Sequence, residues 1–141
     1  MKRLSAASAR AILAAIWAAS FLINLTIALC LYLNHDIGDD NFEKLTTTLN
    51  SSYVTYLAAV IGCYVIVYTK KPKTSLNPGL FVVALVSSLL WNGVLSAFVW
   101  PLIFERGTVE GAIKYIGYFA PLLSWIVAPI FTVFFVKNAT E

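Results

Sequence analysis

The sequence predicts an all-α integral membrane protein, a bundle of four transmembrane helices forming a single membrane domain over residues 1–141. Three observations carry this. The 141-residue chain is 60% hydrophobic and only 12% charged, and its mean hydropathy is +0.79; a soluble domain this small has too much surface to be so apolar. Its apolar residues fall in long blocks: Ala11 to Leu33, Tyr53 to Thr69 and Leu80 to Phe104 carry no charge, and Ile113 to Val136 carries only Lys114. Blocks of about 18 to 25 apolar residues have the length a helix needs to cross the hydrocarbon.

The expected helices are roughly 11–33, 49–69, 80–104 and 113–136. The first begins after Met1-Lys-Arg and reads as an uncleaved membrane helix. Its apolar run is too long for a signal peptide, and Leu29 is too bulky for the position just before a cleavage at Cys30. The second block is short, so its helix is expected to start within Leu45 to Ser52, where hydroxyls offer several caps. Asn77-Pro-Gly is a turn that launches the third helix, and Trp100-Pro101 ends that helix as an interface anchor. Lys114, Tyr115 and Tyr118 open the fourth near the same, outer interface. Pro121 and Pro129 interrupt its ladder, which makes it the least regular helix.

Charge sets the expected topology. Lys2, Arg3, Arg10, Lys70, Lys71, Lys73 and Lys137 lie on one side, against Lys44, Arg106 and Lys114 on the other. The positive-inside rule then places both termini in the cytoplasm. The first loop, Asn34 to Ser52, is acidic, with Asp36, Asp39, Asp40 and Glu43. The net charge of +3 reflects this asymmetry, and nucleic acid is not an expected partner. Asn50-Ser-Ser and Asn138-Ala-Thr match the glycosylation pattern by chance, one against the membrane and one on the cytoplasmic side.

The candidate functional residues form a polar layer within the membrane: Asn24, Ser88, Asn92, Ser96 and Ser124. At 1.5 Å per residue, Asn92 is expected about 18 Å along the third helix and Asn24 about 20 Å along the first. That places the two amides at one depth and suggests an Asn24–Asn92 bridge. Small residues recur every fourth position, as in Ala84, Ser88, Asn92 and Ser96, or Ala58 and Gly62, so they share a face where helices approach closely. The layer is read either as packing glue or as the lining of a pore. No ionisable residue is expected inside a helix core, which argues against proton-coupled transport.

No phosphate loop, metal-ligand spacing or nucleophile–base pair is present, so no catalytic, cofactor or metal residue is assigned. His35 beside Asp36 reads as a solvated loop pair. Cys30 and Cys63 read as small packing residues. The segments Phe42-Glu-Lys-Leu-Thr-Thr-Thr-Leu-Asn and Gly117-Tyr-Phe-Ala-Pro-Leu-Leu-Ser-Trp resemble the androgen-induced FAR-17a-like family of multi-spanning membrane proteins. The resemblance covers about residues 10 to 130 and implies hydrolysis of lipid esters by a membrane-embedded threonine and histidine. That threonine would fall on Thr46, Thr47 or Thr48; the histidine would fall near Gly117, and the family has about six helices. The residues themselves favour a protein that acts by helix–helix association, as a homo-oligomer or a subunit of a membrane complex, with lipids around it. A channel, transporter or holin-like pore is one alternative, and a lipid-ester hydrolase is the other.

Overall fold

A computed structural model describes residues 5–70 and 77–136, without the side chains of 6, 61, 63–70 and 136. Helix α1 spans Ala6–Leu33, α2 Asp39–Lys70, α3 Pro78–Val99 and α4 Val109–Phe131. A 3₁₀ segment, Trp100–Phe104, prolongs α3, and a π-helical turn, Thr132–Val136, prolongs α4. Among the described residues the chain is all-helical, as expected. Ala7–Leu33, Pro78–Phe104 and Val109–Phe135 are long and apolar enough to cross a membrane, the composition a multi-pass membrane protein needs. Helix α2 is longer, at 32 residues, but it is not among these three. Its first half is rich in hydroxyls and charge.

Helix starts follow local chemistry. The Ser5 hydroxyl accepts from the Ser8 N–H, Asn77 Oδ1 accepts from Gly79 and Leu80 ahead of Pro78, and the Thr108 hydroxyl accepts from Gly111. Each satisfies amides that a first turn leaves bare. The acidic first loop is much shorter than expected, because α2 begins at Asp39, not near residue 49. Asp39 and Asp40 occupy its first turn, where carboxylates complement the helix dipole. The hydroxyls expected to cap this helix lie inside it instead. Thr46 donates to the Phe42 carbonyl, Thr48 to Lys44 and Ser52 to Thr48, so each is satisfied by its own helix.

Helix α1 ends in a Schellman turn. Asp36 N–H donates to the Leu31 carbonyl and His35 N–H to that of Tyr32, while His35 takes a left-handed φ of 63°. A side chain pays about 1–2 kcal/mol for that conformation, and glycine avoids it. His35→Gly is therefore expected to raise the thermal midpoint of the solubilised protein; an unchanged or lower midpoint would show that the imidazole makes a compensating contact. Glu105, with φ 55°, closes the α3 extension in the same way.

Helix α1 packs on α2 and α3, and α4 packs on the same two. Consecutive helices run antiparallel, so the neighbouring pairs α1–α3 and α2–α4 run parallel. Leu22, Val82, Val86, Leu89, Leu122 and Trp125 point outward and are exposed, an aliphatic coat suited to lipid. Two expectations fail at the ends of α1. Arg10 is buried, at 1% exposure, so one ionisable side chain does enter the packed bundle. Cys30 is exposed and does not pack inside; the side chain of Cys63 lies outside the described residues, as do Lys2, Arg3, Lys71, Lys73, Lys137 and Asn138.

Candidate functional site

The polar layer is assembled from three helices around two tyrosines of α2. Asn24 Nδ2 donates to Tyr53 Oη and to Ser96 Oγ, both at 3.1 Å. Trp17 Nε1 donates to Ser88 Oγ at 3.0 Å, and the Ser88 hydroxyl donates to the Ala84 carbonyl at 2.8 Å. Tyr56 Oη donates to Ser124 Oγ at 3.0 Å. Asn24, Ser88 and Asn92 are buried. All five residues thus lie in the bundle, but they do not form one connected cluster.

The Asn24–Asn92 bridge is not formed. Asn92 Nδ2 donates to the Ser88 carbonyl of its own helix at 2.7 Å, and the side-chain oxygens of both asparagines are buried without a partner. The reason is register. Trp17 meets Ser88 and Asn24 meets Ser96, separations of 71 and 72 residues, so Asn92 is level with the turn before Asn24. Helix α1 gains five residues over its expected start and α3 only two. Asn24 is therefore about 27 Å from its helix start and Asn92 about 21 Å, a difference of one turn.

Aromatic rings fill the space between the helices. Trp17 lies 4.9 Å from Tyr56, 5.7 Å from Trp91, 6.0 Å from Tyr53 and 5.2 Å from Phe131, centroid to centroid. Such distances are those of favourable ring pairs. Trp17 and Trp91 are buried while Trp125 is 84% exposed, so the deep tryptophans divide between core and lipid. Sequence reasoning missed Tyr53 and Tyr56 as partners of the polar layer. Their spacing of three, on one helical face, was the available signal.

A cleft of about 350 Å³ opens between α2 and α4. Thr48, Ser51 and Ser52 line one wall and Gly117, Pro121 and Ser124 the other, with Trp91 at its inner side. Pro121 has no N–H to give to the Gly117 carbonyl one turn back, so this wall carries an acceptor that the helix does not use. Of the three positions that the family resemblance offers for its threonine, only Thr48 lines this cleft, and the position of its histidine is held by Gly117. The fourth helix continues through Pro121 to Phe131 and changes to π geometry only after Pro129, where the Thr132 N–H is shared between the Ala128 and Pro129 carbonyls. Among the described residues no group of three or more metal-ligating side chains comes together. Comparison with known proteins finds no matching family model, no matching curated sequence and no matching solved structure, so the chain's own geometry is the ground for a functional reading.

Proposed function

We propose that α2 is a fourth membrane span and that the protein acts by helix–helix association through the outward face of α2, as a homo-oligomer or a subunit of a membrane complex. The observation that carries this is Asn50. Its side chain is exposed and makes no hydrogen bond to another described residue. Phe42 stacks on Tyr32 at the end of α1, with centroids 4.5 Å apart, and Asn50 lies about 12 Å further along α2. Next to it, Tyr53 reaches the buried Asn24. An amide at that depth facing hydrocarbon costs several kcal/mol by rough estimate. A partner helix supplies the missing bonds, at about 0.6–2 kcal/mol each.

The rest of the face suits close approach. Thr47, Val54, Ala58 and Gly62 continue it outward, and a Cβ built on Gly62 would meet nothing within 4 Å. Packing inside the chain therefore does not require this glycine, which costs a helix about 0.5–1 kcal/mol relative to alanine. Native mass measurement in lipid should show an assembly larger than one chain, and Asn50→Leu combined with Gly62→Leu should shift it toward monomer. A monomeric wild type, or an assembly indifferent to both changes, would end this reading.

With α2 in the membrane, both termini share one side, and the basic residues favour the cytoplasm. Labelling of Asp40→Cys, in a chain with both native cysteines replaced, by an impermeant maleimide from outside tests this. A pore is the second reading, favoured by the same uncharged polar face. Aromatic rings occupy the middle of the single bundle, so a water path would have to run between copies along Thr47, Asn50 and Ala58. Purified oligomer that leaks no solute from liposomes would exclude it.

A further inference from the structure

We infer that the cleft between α2 and α4 is a binding site for an uncharged, membrane-soluble alcohol, a hydroxyl on an apolar body. The inference does not rest on the association reading. The cleft lies toward α4 on the side of Thr48, Ser52 and Tyr56. Ser51 borders the face of Thr47 and Ala58, and Asn50 and Val54 do not line the cleft. At about 350 Å³, the cleft is at the small end of ligand sites. None of its lining residues carries a formal charge, which disfavours ionic headgroups.

The direction of its hydrogen bonds selects the ligand. Thr48 spends its proton on the Lys44 carbonyl, and Ser51 and Ser52 both spend theirs on the Thr48 carbonyl. These hydroxyls are left with lone pairs only. The Gly117 carbonyl, without a partner N–H from Pro121, adds another acceptor on the facing wall. A guest that donates a hydrogen bond is therefore matched by these groups.

Donors are fewer. Ser124 accepts from Tyr56 and keeps its own proton. At the inner side, Trp91 is 1% exposed, and its indole N–H has no partner. A hydroxyl, which donates one bond and accepts others, fits this set better than an ester, an ether or an amine cation. Leu122 and Trp125, both exposed beside this wall on α4, leave room for an aliphatic chain to run along the helix. Gly117 keeps the mouth open, since a Cβ there would meet nothing within 4 Å.

The test is photolabelling of the full-length protein in lipid nanodiscs with a decanol that carries a diazirine on its chain, followed by peptide mapping. Adducts are expected within Thr48–Tyr56 and Gly117–Ser124. Excess decanol should suppress them, and decyl methyl ether, which cannot donate, should compete about fivefold less well, the equivalent of one hydrogen bond. Gly117→Leu should abolish the adducts, because its side chain enters the cleft from a position where a Cβ meets nothing within 4 Å. If that variant folds poorly, Ser51→Ala with Ser52→Ala should erase the preference for alcohol over ether. Labelling should persist in Asn50→Leu, which separates this site from the association face. Adducts spread over the aliphatic outer surface, equal competition by the ether, or labelling untouched by Gly117→Leu would each overturn the inference.

Discussion

Replacing Trp17 with alanine is expected to destabilise the bundle more than any other single change, by about 3–5 kcal/mol. Trp17 is fully buried and touches rings from every other helix: Tyr53 and Tyr56 of α2, Trp91 of α3 and Phe131 of α4. Lipid tails are as apolar as the core, so what holds these helices together is packing and not exclusion of water. A cavity at Trp17 removes that packing at a point where all four helices meet. It also removes the donor to Ser88. Trp17→Phe separates the two contributions, since it keeps most ring contacts and loses only the hydrogen bond, at about 0.5–1.5 kcal/mol. Thermal unfolding of the detergent-solubilised variants reads both. Equal losses for Ala and Phe would mean that the hydrogen bond, not the ring cluster, organises the centre.

Ala84→Leu is expected to have the second-largest effect, about 1–3 kcal/mol of overpacking. Ala84 is fully buried, on the same face of α3 as Ser88, Asn92 and Ser96. That face meets α1, because Ser88 and Ser96 bond to Trp17 and Asn24. A leucine there must push α1 and α3 apart, which stretches both of those bonds and strains the carbonyl that holds Ser88. The effect is on the fold of one chain, not on assembly. Gly93→Leu provides the contrast on the same helix, because Gly93 is exposed and its Cβ would meet nothing within 4 Å. Similar losses of thermal stability at 84 and 93 would contradict the placement of that face.

Much of the architecture was legible because membrane helices announce themselves by length and composition. The start of α3, the turn at Asn77-Pro-Gly and the helical break at Trp100-Pro101 follow from residues within a few positions of each end, whereas α1 begins five residues before its expected start, at the Ser5 cap. The start of α2 was not legible in the same way. Thr46, Thr48 and Ser52 look like caps in sequence, yet each hydroxyl can bond to a carbonyl four residues back and leave the helix unbroken. Hydroxyl-rich sequence therefore concealed about ten residues of helix.

By itself the sequence determined an all-helical chain, three helices apolar enough to span, and the small-residue face of α3, because these depend on side-chain chemistry and the 3.6-residue period. Only the tertiary structure decided which groups satisfy one another. A one-turn error in helix register moves a partner by about 5.4 Å, enough to exchange Asn92 for Ser96 opposite Asn24. It also decided that Tyr53 and Tyr56 complete the polar layer, and that Asn50, similar in sequence context to the buried amides, faces out. Register and rotation belong to pairs of helices, and no single segment encodes them.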